Sequence, residues 1–207
     1  MTEQVEKPKK LKRRWLKYSL RTSLLAVTVL CVWLGFFVNR VNKQKQAVEW
    51  VRENGGTVLY HFEWDQETGL PINHAEPPGP AWLREWIGID YLANVSFVSL
   101  LNEQVTDIAP LAALTNLRML NLNRTSVSDI SPLASMTKME SLHLACTQVS
   151  DISPLVGMKR MQVLHLEKTK VSDLTPLLGM KRVTIGLNPS QKVKIPPELK
   201  SQVRRSA

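Results

Sequence analysis

The sequence predicts an α/β repeat protein, a short solenoid with a parallel β-sheet on one face and short helices or helical turns on the other, preceded by one transmembrane helix. Two observations predict this architecture. Residues 95–182 form four consecutive 22-residue units with apolar residues at the same offsets, and a fixed period of this length is typical of stacked repeats. Residues 22–38 contain no charge and follow a basic segment, which is typical of a membrane-spanning helix.

The positive charge of the chain is concentrated near its N-terminus. The 207 residues carry a formal net charge of +9. Residues 1–53 hold 12 Lys and Arg against 4 acidic residues, a balance of +8, and the remaining residues 54–207 hold 15 against 14, a balance of +1. Basic clusters beside an apolar run contact anionic lipid headgroups. The nearly neutral remainder predicts no nucleic-acid partner.

The uncharged run predicts the anchor. A helix of its 17 residues would span about 26 Å, near the lower limit for a bilayer core, and Arg21 can extend it by snorkelling to the headgroups. Aromatic residues flank the run where the two membrane interfaces are expected. They are Trp15 and Tyr18 on one side, and Trp33, Phe36 and Phe37 on the other.

The flanking charges predict the orientation. Eight Lys and Arg precede the run, whereas four follow it as far as Arg52. The positive-inside rule therefore predicts a single-pass membrane protein with a basic cytoplasmic tail, residues 1–21, and a C-terminal domain outside the cytoplasm.

The apolar run is less consistent with a signal peptide or a buried helix. A cleaved signal peptide also has a basic start and an apolar core. However, this run is longer than the usual signal core, and residues 36–40 show no small-x-small cleavage pattern, which favours an uncleaved anchor. A buried helix of a soluble protein would not account for the basic flank.

Residues 39–94 are predicted to hold a juxtamembrane helix, a strand, a Pro-rich loop and an N-terminal cap. The helix covers residues 40–53, with Val41, Ala47, Val48 and Val51 as its apolar face. Asn54-Gly55-Gly56 then provides a stop, because Gly readily adopts the left-handed conformation that ends a helix. Residues 57–64 are rich in β-branched and aromatic types and predict a strand, and residues 65–80 hold four prolines and predict an irregular connection.

Residues 81–88 predict a second short helix. Trp82, Leu83, Trp86 and Ile87 recur at helical spacing. A pair of tryptophans could form a ligand platform. A solenoid must also cover its open core at each end, so we favour the interpretation that this helix caps the repeats.

Each column of the repeat has a physical reason. The fourth and sixth positions of each unit are apolar and alternate with exposed residues, as a half-buried strand requires. An Asp near the middle can accept backbone N–H bonds in the turn. The Ser/Thr-Pro-Leu step that follows in three units predicts a helix start with Ser or Thr as N-cap. The two inner strand columns are Val98, Leu120, Leu142 and Leu164, and Leu100, Leu122, Leu144 and Leu166.

This pattern resembles the 22-residue leucine-rich repeat of the internalin type, in a context that resembles bacterial membrane-anchored repeat proteins. The resemblance implies protein recognition through the sheet face and no catalysis. The ninth position departs from the family, because Glu103, Thr125, Thr147 and Thr169 stand where the family usually has Asn. A hydroxyl cannot make the full set of bonds of an amide.

The repeats are predicted to span residues 95–190. A fifth unit fits residues 183–187 when one residue is deleted, so that Ile185 and Leu187 occupy core positions. Residues 191–207 are expected to form a C-terminal cap and a fraying tail. Cys31 lies in the apolar run and Cys146 in a repeat, so we expect no disulfide between them.

The outward residues of the strands form the candidate interaction face. Ser99, Asn121, His143 and His165 alternate with core leucines and should be neighbours on adjacent strands. The mixture of residue types suits a polar protein interface with a few apolar anchors, although an ordinary solvated face is an equally good interpretation. The candidate residues are Arg118, Met119, Asn121, Glu140, His143, Gln162, His165 and Glu167.

Two further sites are less favoured. His143 and His165, with Glu167 nearby, could hold a metal ion, but zinc normally requires three or four protein ligands. Lys159-Arg160 and Lys181-Arg182 occupy matching ends of successive units and could bind an anionic polymer or headgroup, although a solvated edge accounts for them as well. We predict no catalytic residue, cofactor or metal, because no nucleophile–base, phosphate-loop or paired metal motif is present.

These observations predict a membrane-anchored protein that presents a protein-interaction surface outside the cytoplasm. The identity of the protein partner does not follow from the sequence. One alternative is a structural spacer of the cell envelope without a specific ligand. Another is a metal-binding or catalytic protein that uses His143 and His165.

Overall fold

The computed structural model describes residues 20–63, 72, 75–180 and 182–205. Two compact units are present, Met1–Asn39 and Arg40–Ala207. Most of the predicted basic tail, the interface residues Trp15 and Tyr18 and most of the predicted Pro-rich loop lie outside the described residues. The helices and strands are α1 (Leu20–Glu53), β1 (Thr57–Tyr60), α2 (Ala81–Ile87), β2 (Val95–Ser99), β3 (Met119–Asn121), β4 (Ser141–His143), β5 (Val163–His165), β6 (Thr184–Leu187) and β7 (Val203–Arg205).

The first unit contains the apolar part of α1. The segment Thr22–Glu53 contains an 18-residue stretch of mean hydropathy 2.0 and is long and apolar enough to cross a membrane. The apolar side chains of residues 22–38 point outward, as expected for a surface that lipid would cover, and Leu25, Val29 and Phe36 are 65%, 68% and 72% exposed. A signal sequence near the N-terminus can have the same length and apolar composition.

Helix α1 ends at Glu53 and therefore includes residues 40–53, which the sequence predicted to be a juxtamembrane helix. The predicted apolar face of this second part is confirmed. Val41, Ala47, Val48 and Val51 are all buried, and the last three belong to the main hydrophobic core.

The predicted stop after this helix is also confirmed. Gly55 adopts a left-handed conformation with φ 74°, and the Gly56 N–H donates to the carbonyl oxygen of Val51 at 2.8 Å. A Cβ on Gly56 would lie 2.8 Å from the carbonyl oxygen of Ser99. Glycine therefore allows the chain to turn closely past strand β2 on its way into β1.

The N-terminal end of the repeats is covered by α1 and β1. Strand β1 pairs antiparallel with β2, with Thr57 opposite Ser99. It is shorter than the predicted strand of residues 57–64, because it ends at Tyr60 and a 3₁₀ helix begins at His61. Tyr60 is buried, and its hydroxyl donates to Asp90 Oδ1 at 2.9 Å. Burial, then the hydrogen bond to Asp90, raises the pKa of Tyr60 far above its usual value.

The prediction that the second short helix caps the core through its tryptophans is wrong. Helix α2 forms, but it contains no buried residue, and Trp82 and Trp86 are 66% and 81% exposed. Residues 81–88 have two apolar pairs at helical spacing, and the half-buried pair that faces the domain is Leu83 and Ile87. The end of the core is already closed by α1, which leaves the tryptophans outside.

The repeat sheet has the predicted parallel arrangement. Strands β2 to β7 lie in sequence order, each parallel to the next. Leu120 pairs with Leu142, and Leu142 with Leu164, in the central register. These three side chains are fully buried, as are Leu122, Leu144 and Leu166 in the next inner column. Each unit therefore covers the apolar face of its neighbour, as stacked repeats require.

Short 3₁₀ helices form the opposite side of each repeat, and the Asp column caps them. The Oδ1 atom of each Asp accepts a backbone N–H two residues further on, at 2.8–2.9 Å, for Asp107, Asp129, Asp151 and Asp173. The predicted Ser/Thr N-caps are wrong. The N-cap positions are Ile130, Ile152 and Leu174, with no side-chain cap bond. The carboxylate two residues before the Ser or Thr accepts that residue's backbone N–H instead, and the hydroxyls of Ser131 and Thr175 also donate to it, at 2.9 and 2.6 Å.

At the ninth position of three units, where the internalin-type repeat usually has asparagine, a threonine hydroxyl makes one hydrogen bond to the backbone. The hydroxyls of Thr125, Thr147 and Thr169 donate to the carbonyl oxygens of the core leucines three residues earlier, at 2.7–2.8 Å. The residues just before these threonines adopt left-handed conformations, with φ of 56–60° at Arg124, Cys146 and Lys168. The sequence did not indicate this strained position, since none of the three is Gly or Asn.

The C-terminal end continues the solenoid. Ile185 and Leu187 are buried in β6, which confirms the fifth unit with its deletion. The prediction that the C-terminal tail frays is wrong as far as residue 205. A 3₁₀ helix, Pro197–Gln202, leads into β7, which pairs parallel with β6, and Leu199 is buried beneath it. The backbone edge of β6 provides hydrogen bonds that this segment can use without a repeat motif.

Candidate interaction face

The outward side of β3, β4 and β5 forms one continuous surface. In each three-residue strand the middle leucine points into the core, so the first and third residues point outward. Asn121 pairs with His143, and His143 with His165, in the parallel register. The structure therefore brings Met119, Asn121, His143 and His165 together on one face, as the sequence predicted, and all four are partly exposed.

Arg118 and Glu140 extend this face beyond the start of the strands. Arg118 Nε lies 3.6 Å from Glu140 Oε1, and the two side chains are 29% and 31% exposed. An ion pair that water reaches in this way contributes about 0–1 kcal/mol to stability. Gln162 occupies the same position in the next unit and is exposed, so this row presents hydrogen-bonding groups that a partner could use.

The two histidines are in direct contact. The ring centroids of His143 and His165 lie 4.5 Å apart with the planes tilted by 31°, and His143 Nε2 lies 2.9 Å from Ser141 Oγ. Burial, then the neighbouring His165, lowers the pKa of His143, while Glu167 opposes the shift. The face therefore favours a neutral ring at position 143.

Glu167 is less exposed than the sequence suggested. Its Oε1 lies 3.8 Å from His165 Nδ1, and the side chain is 18% exposed. Its Oε2 is buried and has no hydrogen-bond partner among the described residues. A Cβ on Gly186 would collide with this carboxylate. The glycine in β6, in the column of Asn121 and the histidines, therefore makes room for Glu167 over the strand.

The metal-binding alternative has little geometric support. It requires His143, His165 and Glu167 to converge on one point. Among the described residues, no group of three or more His, Cys, Asp or Glu side chains is placed to hold a metal ion. Two imidazoles alone do not complete the ligand set that zinc normally takes.

A basic groove borders the face at the start of the strands. Lys159, Arg160 and Arg182 line it together with Glu140, Gln162, Val163 and Thr184, and its volume is about 760 Å³. Lys181 lies outside the described residues. In the described part of the chain, Glu140 is the single carboxylate in this lining, and its ion pair is with Arg118. The interpretation of the sequence favoured a solvated edge for these basic residues and did not connect them with the interaction face.

The same edge carries a ladder of polar side chains. Asn116 Nδ2 donates to Asn94 Oδ1 at 2.8 Å, and Lys138 Nζ donates to Asn116 Oδ1 at 2.7 Å. These residues occupy the last position of successive units, which Arg160 and Arg182 occupy further along. One column of the repeat thus changes from amides to cations towards the C-terminal end.

The pH dependence of stability should report on the His143 environment. A lowered pKa in the folded state means that the unfolded chain binds the proton first as the pH falls below about 6.5. We therefore expect the free energy of unfolding to decrease between about pH 7.5 and pH 5, and His143→Asn to reduce that decrease. Urea unfolding at a series of pH values measures both.

The matched control for this prediction is Gln162→Asn, which changes the same face without removing a titratable group. It should keep the pH slope of the unsubstituted chain. An unchanged slope in His143→Asn would contradict the described packing of the two rings.

The 22-residue period, the short parallel strands in register and the inward leucine of each of β3, β4 and β5 define a leucine-rich-repeat solenoid. No protein-family model matches the chain, and no curated protein matches it.

Solved structures similar to the chain include two internalins of Listeria monocytogenes. Internalin C2 is 29% identical, with a TM-score of 0.46 and coverage of 50% of this chain and 48% of that one. Internalin F is also 29% identical, with a TM-score of 0.35 over 44% and 34%. Human 5T4 is 21% identical, with a TM-score of 0.32 over 37% and 30%. The chain thus spans half or less of the length of each of these proteins. The assignment of the fold depends on the repeat and the strand register of the chain itself.

Proposed function

We propose that this chain is a membrane-anchored leucine-rich-repeat protein whose outward strand face binds another protein outside the cytoplasm. The observation that carries the proposal is the in-register alignment of Asn121, His143 and His165 on adjacent strands. Side chains from separate units form one surface that a partner can contact as a whole. The surface mixes polar groups with the apolar Met119 and Val163, a composition typical of protein interfaces.

The basic groove indicates the chemistry of the partner. Lys159, Arg160 and Arg182 outnumber the single carboxylate in its lining. A partner with an acidic segment beside its contact surface would be attracted to this end of the face, and such complementarity increases the rate of association and orients the complex. We propose an acidic protein segment as the occupant of the groove.

The anchor supports the proposed location. An exposed apolar helix follows a strongly basic segment and precedes a nearly neutral domain. The distribution of Lys and Arg favours a cytoplasmic N-terminus and a repeat domain on the other side of the membrane. The proposal requires no catalytic residue, cofactor or metal.

Site-specific photo-crosslinking in cells that produce the full chain tests this function. A photoreactive amino acid at the exposed Gln162 should form a discrete adduct with another protein. The same group at Val156, which is 56% exposed on a 3₁₀ helix of the opposite side, should not form that adduct. Equal products from both positions would contradict the proposal.

Charge reversal tests the groove in the same experiment. Arg160→Glu with Arg182→Glu should reduce the adduct from position 162 several-fold. Lys170→Glu with Lys200→Glu, which changes the net charge equally at exposed sites outside the groove, should leave it intact. An adduct with a second copy of this chain alone would instead support the structural spacer.

A further inference from the structure

Helix α2 presents two tryptophans to the surroundings. Trp82 and Trp86 are one helical turn apart and therefore lie on the same side of the helix, and they are 66% and 81% exposed. Indole rings are large and mainly apolar, so exposing two of them together is unfavourable unless something covers them. Because both residues belong to a formed helix, the two indole rings project from the same side of α2.

The rest of α2 holds this pair in place. Leu83 and Ile87 are half-buried on the side that faces the domain. Arg84 Nη1 donates to the carbonyl oxygens of Pro77 at 2.6 Å and Gly79 at 3.0 Å, which ties the helix to the chain that leads into it. The tryptophans are thus the outer side of an attached helix.

The segment after α2 bonds to the turn of α1 that follows the apolar run. Gln44 Nε2 donates to the carbonyl oxygen of Ala93 at 2.9 Å, and the Tyr91 hydroxyl donates to Asn42 Oδ1 at 3.2 Å. All these residues belong to the second compact unit, Arg40–Ala207. Asn42 follows the last apolar residue of the predicted span, Val38, by four positions, which is at most about 14 Å of chain.

We infer that Trp82 and Trp86 insert into the headgroup region of the same bilayer that α1 crosses, on the side of the repeat domain. This inference rests on the proposed membrane anchor. Tryptophan is enriched at membrane interfaces because its ring is apolar and its N–H remains hydrated. The contacts of Tyr91 and Gln44 tether α2 to chain that must lie near the bilayer surface.

Fluorescence quenching of the full chain in phosphatidylcholine nanodiscs tests the inference. An environment-sensitive dye is placed at position 86 by Trp86→Cys, in a chain that also carries Cys31→Ser and Cys146→Ser. Lipids with a nitroxide on the headgroup should quench this dye several-fold more than the same dye placed by Val156→Cys in the same background. The native Cys31, labelled in the Cys146→Ser chain, reports separately on insertion of the anchor with acyl-chain nitroxide.

A second measurement keeps the helix free of any dye. Trp82→Phe with Trp86→Phe should remove part of the intrinsic tryptophan fluorescence that headgroup nitroxide quenches in the unsubstituted chain. If the two substitutions removed none of the fluorescence that headgroup nitroxide quenches, the inference would be overturned.

The outcomes separate the inference from the function on which it rests. An unquenched dye at position 86 with a quenched dye at Cys31 overturns the interfacial tryptophans and leaves the anchor in place. Unquenched dyes at both positions overturn the anchor and the inference together. A blue-shifted but unquenched dye at position 86 means that protein covers the helix, through a second copy or another chain, and also overturns the inference.

Discussion

Leu144→Ala is expected to lower the free energy of unfolding by about 3 kcal/mol, because it leaves a cavity in a fully packed core. Leu144 has no exposed surface and lies in the same inner column as Leu122 and Leu166. In a stack of repeats each unit is stabilised mainly by its neighbours. The loss in the central unit should therefore weaken both halves of the solenoid. Urea unfolding of the full chain in detergent, followed by circular dichroism, measures the change.

The control for this prediction is Val156→Ala, which removes a similar apolar group from a side chain that is 56% exposed. A surface substitution of this kind is expected to change the free energy of unfolding by less than about 0.5 kcal/mol. If the two variants were equally stable, the stacked leucine core would be contradicted.

Val29→Arg combined with Val32→Arg is expected to prevent stable insertion of the proposed anchor. The two valines are 68% and 59% exposed on α1, where lipid would surround them. Each Arg near the centre of a span disfavours insertion by about 2.5–3.5 kcal/mol, and every 1.4 kcal/mol corresponds to about a tenfold change in the equilibrium. Alkaline extraction of membranes, followed by detection of the repeat domain, should show its transfer from the pellet to the soluble fraction.

The matched control is Gln46→Arg with Gln104→Arg, which adds the same charge at exposed positions outside the apolar run. This variant should remain in the pellet. Extraction of the unsubstituted chain itself, together with loss of an N-terminal tag from the mature protein, would instead support the cleaved signal peptide.

The candidate site was predictable in its outline. The alternation of core and outward residues is enough to place Asn121, His143 and His165 in one column, since strand geometry has a period of two. It cannot give the 4.5 Å contact of the histidine rings or the buried Oε2 of Glu167. Those depend on side-chain rotamers and on the space above Gly186, which are properties of three neighbouring strands together.

The helix caps illustrate the same limit. A Ser or Thr before Pro has the right local chemistry for an N-cap, and the sequence interpretation chose it. In the structure the Asp two residues earlier accepts the backbone N–H of the Ser or Thr itself, as for Asp151 and Ser153 at 2.8 Å, and Ser153 then stands in the first turn after the N-cap Ile152. Asp and Ser or Thr are all suitable residues for a helix start, so only the observed path of the backbone shows where the helix begins.

The sequence by itself determined the solenoid, its inner leucine columns, the deletion in the fifth unit and the single apolar run. These are repeated patterns whose only stable arrangement is to bury the same positions in every unit. The tertiary structure alone decided what closes the ends. The C-terminal part of α1 covers the first strand while Trp82 and Trp86 stay exposed, and β7 extends the other edge. An open end offers an apolar surface and unpaired backbone groups that any suitable segment can satisfy, so which segment does so depends on where the folded chain brings it.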